Sequence, residues 1–123
     1  MATGNIYSLF VDFNQKTGGK ERFTVEISQI GLGIVVLDDI TSKYEKKSDF
    51  IKLQYYPIKD WREAGLKQPS YVDIGSRHTL SLQEMVELSR YMGKLSLRDV
   101  EDLAAFIHNC KDRLLELKTL YID

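Results

Sequence analysis

Three short stretches of this sequence place polar side chains where they can act together. Gly18-Gly19-Lys20-Glu21-Arg22 sets a glycine turn just before an arginine that enters a strand pattern. Ile40-Thr41-Ser42-Lys43 sets two hydroxyls and a cation just after another strand, and Arg77-His78-Thr79 follows a third. If these strands are neighbours, their ends converge on one edge of a sheet. An arginine beside a hydroxyl suits a phosphodiester. The guanidinium offers a planar fork to two phosphate oxygens, and the hydroxyl adds a donor to a non-bridging oxygen. By spacing alone, an exposed arginine and an ordinary strand-end threonine are the commoner explanation, so the pair needs further support.

Other chemistries find little to work with. His78 and His108 are far apart in sequence, and no His-x-x-x-His motif or carboxylate cluster accompanies them, so no metal site is expected. His108 falls mid-helix beside an apolar stripe, where a structural role is expected. There is no Gly-x-Ser-x-Gly elbow and no P-loop. Gly31-Leu32-Gly33 is a turn before it is anything else. The single cysteine, Cys110, cannot build a disulfide framework; it is expected as a small residue on a helix face in a reducing compartment.

The elements that must hold the polar residues follow from hydrophobic period. Ile6 to Phe13 is rich in aromatic and β-branched residues and reads as a strand. From Arg22 to Ile30, Phe23, Val25 and Ile27 alternate with Thr24, Glu26 and Ser28, the period of a half-buried strand. Ile34 to Leu37 continues as a buried strand through Asp38-Asp39 to Ile40. Phe50 to Tyr56 reads as a fourth strand closed by Pro57, and Ser70 to Ile74 as a fifth, with Gly75 as a bulge or break. Between them, Asp60 to Gly65 reads as a short helical turn ending at glycine. The period then becomes helical. Ser81-Leu82-Gln83-Glu84 is a capping box that predicts a short helix to about Tyr91, stopped by Gly93. A second helix starts at Ser96. Its apolar stripe is Leu97, Val100, Leu103, Ala104, Ile107, Cys110 and Leu114, with Arg98, Glu101, Asp102, Asp112 and Arg113 opposite. About five short strands and two helices make an α+β plan, a twisted or barrel-like antiparallel sheet with a helix packed on it.

Composition sets the bounds. The 123 residues, 43% hydrophobic and 28% charged, fit one globular domain spanning 1–123, with no mass for a second. A large substrate must then bind at the surface or across a subunit seam. No basic segment precedes an apolar run at the start, and no stretch approaches ~18 apolar residues, so a soluble cytoplasmic protein without a membrane segment is expected. Net charge is −1, split as 11 Lys+Arg against 10 Asp+Glu in residues 1–79 and 6 against 8 in 80–123. That asymmetry permits a local basic groove.

Four segments, in order, resemble the MazF/PemK family of toxin–antitoxin endoribonucleases. Gly19-Lys20-Glu21-Arg22-Phe23-Thr24-Val25-Glu26-Ile27 resembles its Gly-x-Arg-Pro-led strand, and Ile40-Thr41-Ser42-Lys43-Tyr44 its Ile-Thr-Ser/Ala-like turn. Pro69-Ser70-Tyr71-Val72-Asp73-Ile74 and Gly93-Lys94-Leu95-Ser96-Leu97-Arg98-Asp99-Val100 complete the series. The resemblance spans roughly residues 5–110. The part from Ile40 to Leu97, with Tyr55-Tyr56-Pro57-Ile58-Lys59-Asp60-Trp61 inside it, is most similar to MazF-like proteins of low-GC Gram-positive bacteria.

The resemblance implies an SH3-like antiparallel β-barrel of about five strands, followed by a short helix and a longer C-terminal helix. It implies a homodimer, a cognate antitoxin partner, and cleavage of single-stranded RNA without a cofactor. Arg22 and Thr41 match the family's arginine and threonine. In that chemistry the ribose 2′-hydroxyl attacks the adjacent phosphorus, leaving a 2′,3′-cyclic phosphate and a 5′-hydroxyl, so DNA is not cut. Arg22 stabilises the phosphorane, and Thr41, with Ser42, holds a phosphate oxygen. An arginine is almost never neutral. His78 is therefore the candidate for acid–base work, since an imidazole titrates near neutrality, against a plain surface role. Lys20, Lys43, Lys46, Lys47 and Arg77 are candidates for substrate contacts, against a solvated loop. Tyr44, Tyr55, Tyr56 and Trp61 can stack on unpaired bases, although packing is their commoner use. One departure stands out: Phe23 occupies the place of the family's proline, which would fix the backbone after Arg22. Two other functions stay open on the same fold: a non-catalytic adaptor, and a toxin that poisons a topoisomerase.

Overall fold

A computed structural model describes the backbone of residues 3–11 and 20–121, and the side chains of 3–10 and 21–110. The elements are β1 (Asn5–Val11), β2 (Lys20–Ile30), β3 (Ile34–Thr41), α1 (Asp49–Lys52), β4 (Tyr55–Pro57), β5 (Tyr71–Ser81), α2 (Leu82–Leu88), β6 (Ser89–Lys94) and α3 (Leu97–Tyr121). The strands form one antiparallel sheet in the order β4-β5-β3-β2-β1-β6. The expected α+β class is observed, with six strands in place of about five. The sheet is not closed: among the described residues no strand pairing joins β4 to β6. β4 is only three residues long and ends in Pro57, which has no N–H to extend a ladder.

The alternation in β1 to β3 and in β5 divides the side chains between two faces. One face carries Ile6, Val25, Ile40, Val72 and Ile74 into the main core, where Leu95, Leu103 and Cys110 close over them from α3 and the segment before it. Ile6, Val25 and Val72 are wholly buried, and burying each such side chain stabilises the fold by roughly 1.5–3 kcal/mol. On the other face Val35 and Leu37 pack beneath Met85 of α2. Between β2 and β3 the chain reverses through Gly31, whose φ of 61° is open to glycine at little strain.

Three segments depart from their hydrophobic pattern. Phe50 to Tyr56, expected as one strand, opens instead with α1. Ser48 caps that turn by accepting the Ile51 N–H at 3.2 Å, and only Tyr55–Pro57 joins the sheet. The capping box at Ser81 and Glu84 is present, but the helix ends at Leu88 rather than near Tyr91. Residues 89–94 then run as β6 along β1, giving partners to backbone groups that would otherwise lie on a bare edge. Gly93 does not stop a helix; a Cβ there would run into the Ala64 carbonyl oxygen. β5 also runs past Gly75 as far as Ser81.

In α3 the stripe is partly as expected. Val100, Leu103, Ile107 and Cys110 belong to the core, joined by Phe106. Leu97, Ala104 and His108 are exposed. Leu114, Asp112 and Arg113 lie outside the described side chains. The first turn of α3 is held by Asp99, wholly buried. Asp99 accepts the Tyr56 hydroxyl at 2.7 Å and the Lys59 and Asp60 N–H groups at 2.9 and 2.8 Å. Burial first, and that hydrogen bond second, push the Tyr56 phenol up, so it stays a donor.

Candidate active site

The ends of β2 and β3 create the site. Arg22 lies near the start of β2, opposite Leu9 of β1, and Thr41 is the last residue of β3. Both line one open cavity of about 850 Å³, together with Ser42 and Lys43. Thr41 is half-buried, and its Oγ1 accepts the Lys43 N–H at 3.1 Å, a turn that fixes the hydroxyl at the strand end.

The centre of the cluster is Asp38-Asp39. Neighbours on a strand face opposite ways, and β5 answers with Arg77-His78 in the same alternation. Asp38, fully buried, meets Arg77 through Nε at 2.8 Å and Nη2 at 3.2 Å. Burial pushes the Asp38 carboxyl up, and the Arg77 hydrogen bond and charge pull against that rise. The same hydrogen bond to Asp38 holds the Arg77 guanidinium above its ordinary value. Asp39 faces the other way. Its Oδ2 accepts the Arg22 Nη1 at 2.9 Å and its Oδ1 lies 2.7 Å from His78 Nε2. A break in register supplies the room. Between Asp38 and Asp39, β3 advances one residue while β5 passes from Arg77 to Asp73. In that bulge Asp73 accepts the Gly75 N–H at 3.0 Å, the Ser76 hydroxyl at 2.7 Å and the Gln54 amide at 2.9 Å. Gly75 leaves space for Gln54, whose amide a Cβ would strike.

Not every expected residue reaches the cavity. Arg22, Thr41, Ser42 and Lys43 line it, whereas Lys46 does not and Lys47 does. His78 stands behind Asp39 rather than on the cavity wall, and Arg77 is turned to Asp38. The Lys20 side chain lies outside the described residues. The aromatic residues divide similarly. Tyr56 is a core residue edge-on to Phe106 at 5.6 Å, and Trp61 is packed against the same core. Tyr44 stacks on Tyr71 at 4.3 Å, with Lys52 over its ring at 4.7 Å, so it already has neighbours in place of bases. Tyr55 is buried but lines the cavity. Burial first, then the charges of Asp73 and Asp39, push its phenol up, keeping a donor there. Asp39 was not foreseen at the site, Asp73 was foreseen only as part of a matched strand, and Tyr55 was foreseen as a stacking residue rather than as a buried donor. The available signal was Asp38-Asp39 itself: two acids inside an apolar run cannot be buried without partners.

Counting the charged residues of the wall, Arg22, Lys43, Lys47 and Lys67 face Glu21, Asp39 and Asp73. The cavity therefore holds cations and carboxylates in near balance. Phe23 also lines it, and β2 runs on through Phe23, paired with Ser8 and Ile40. Arg22 thus reaches the site without the family's proline. Among the described residues no group of three His, Cys, Asp or Glu is placed to hold a metal ion, and no helix is long and apolar enough to cross a membrane.

No protein-family model and no curated protein matches this sequence. Among solved structures, the Mycobacterium tuberculosis toxin MazF-mt6 aligns with a TM-score of 0.63 at 22% identity, covering 88% of this chain and 96% of that one. The chain has a MazF-like fold. The likeness extends over most of both chains.

Proposed function

We propose that this chain is a MazF-type toxin, an endoribonuclease that cuts single-stranded RNA without a metal. The observation that carries the proposal is that Arg22 and Thr41, the two residues matched to the family's pair, line one open cavity on a MazF-like fold. The 2′-oxygen bonds to phosphorus and the bond to the 5′-oxygen breaks. The products are a 2′,3′-cyclic phosphate and a 5′-hydroxyl. Arg22 holds the charge that builds on the non-bridging oxygens, and Thr41 donates to one of them. The proton of the 2′-hydroxyl goes to the Asp39–His78 pair, with Asp39 facing the cavity and His78 orienting it, and the departing 5′-oxygen takes a proton from solvent in the open cavity. Lys43 and Lys47 meet the flanking phosphates. The protein acts in the cytoplasm as a homodimer restrained by an antitoxin whose segment lies along the cavity.

The test is incubation of purified protein with a long single-stranded RNA in EDTA beside Arg22→Ala. Cuts at a short recurring sequence, with 5′-hydroxyl ends and lost in the variant, are the expected result. Intact RNA with folded wild-type protein would refute the nuclease and favour a non-catalytic adaptor. Such an adaptor would also fail to arrest growth when expressed.

A further inference from the structure

The wall of the cavity contains an anion that competes for the residue meant to bind the substrate. Asp39 is 8% exposed and uses both oxygens, one on Arg22 at 2.9 Å and the other toward His78 at 2.7 Å. Arg22 is the more exposed partner, with 36% of its side chain open to solvent. A phosphate arriving in the cavity seeks charge-assisted hydrogen bonds from the same guanidinium. It also brings a negative charge close to the Asp39 carboxylate, with Asp73 and Glu21 lining the same wall. We propose that Asp39 is a substrate gate: it occupies the phosphate's place on Arg22 in the free protein and yields it when a phosphodiester binds, while remaining tied to His78. This rests on the nuclease reading of the site, and it names a residue that sets affinity rather than one that only supports the fold.

The gate has a signature that a structural role lacks. Asp39→Asn keeps the size of the side chain and a hydrogen-bond acceptor but removes the competing charge. It is expected to bind nucleic acid more tightly while cutting it more slowly, because the proton acceptor is weakened as the gate is opened. Affinity is measured with a single-stranded oligonucleotide carrying 2′-O-methyl groups, which no 2′-hydroxyl mechanism can cut. Wild type, Asp39→Asn, Arg22→Gln and the double variant are titrated at one salt concentration. Removing one like charge beside the phosphate should tighten binding by about fivefold, and in the Arg22→Gln background the gain should vanish. Unchanged affinity in Asp39→Asn, a gain that survives without Arg22, or no binding by any of the four overturns the gate. If Asp39→Asn does not fold, the wild type still decides: the Asp39 carboxyl and Arg22 guanidinium resonances must shift together on adding the oligonucleotide, and resonances that stay fixed refute displacement. A nuclease failure is read separately, as unmodified RNA that binds with the expected pattern and stays intact.

Discussion

Two carboxylates, Asp39 and Asp99, sit in this molecule with opposite surroundings. Asp99 is sealed under the first turn of α3 and accepts from a phenol and two backbone N–H groups. Those donors are neutral and fixed by the 56–60 segment, so the network stays together whatever is in solution. Asp39 has cationic or titratable side chains for partners, and one of them, Arg22, borders an open cavity. Such a partner can be taken by another anion. The difference separates a carboxylate that holds the fold from one that governs a site, although both are buried and both have their hydrogen bonds satisfied.

The comparison breaks most visibly at Arg22. Arg22→Ala is expected to reduce RNA cleavage about a thousandfold or more, since it removes the donor aimed at developing phosphorane charge. The melting temperature should fall less than in Asp99→Ala, because Asp39 keeps its contact with His78 and borders an open cavity. A variant that loses stability in step with activity would place Arg22 with Asp99 instead.

At the other pole, Asp99→Ala should destabilise the protein by roughly 3 kcal/mol, because it strands a buried phenol and two backbone donors. Chemical denaturation measures this. Cleavage per folded molecule should be unchanged, and a loss of specific activity would couple the two regions.

Thr41→Val sharpens the site itself. It removes one hydroxyl from the cavity and keeps the shape of the strand end, so cleavage should fall by about tenfold with little change in binding of an uncleavable oligonucleotide. Equal losses in binding and cleavage would make Thr41 a contact to the ground state.

These expectations depend on features of unequal legibility in the sequence. The alternation of Phe23, Val25 and Ile27 with Thr24 and Glu26 identified β2, and the capping box identified the start of α2, because both signals are local. Ser89 to Lys94 could not be read as a strand from its own residues. Its conformation comes from the bare edge of β1, a partner 80 to 89 residues away in the chain (Leu9↔Ser89 to Asn5↔Lys94). Arg22 and Thr41 could be picked out at strand ends, but Asp39 could not be joined to them. That contact needs the register shift at Asp38/Asp39, which depends on how β5 lies against β3. Lys46 and Lys47 show the same limit, since neighbouring identical residues differ only in which way the loop turns them.

The smallest expected effect tests Asp38, the buried neighbour that faces away from the cavity. Its carboxyl is pushed above the ordinary value, chiefly by burial and against the pull of Arg77. Between the unfolded and the folded pKa, the folded protein therefore holds more protons than the unfolded chain. The contribution of Asp38 to stability is then complete below the unfolded value and declines as pH rises through the folded one. Asp38→Asn cannot titrate, but it can still accept a hydrogen bond from Arg77. The stability of wild type relative to this variant should accordingly be greater at pH 4 than at pH 7 in matched urea titrations. A relative stability that grows toward pH 7 would mean that the charge pair with Arg77 outweighs burial. Asp38 would then be a second ion-pair anchor beside Asp60, whose carboxyl is held below the usual range by the hydrogen bond from the Ser96 hydroxyl first and by those from Arg98 second.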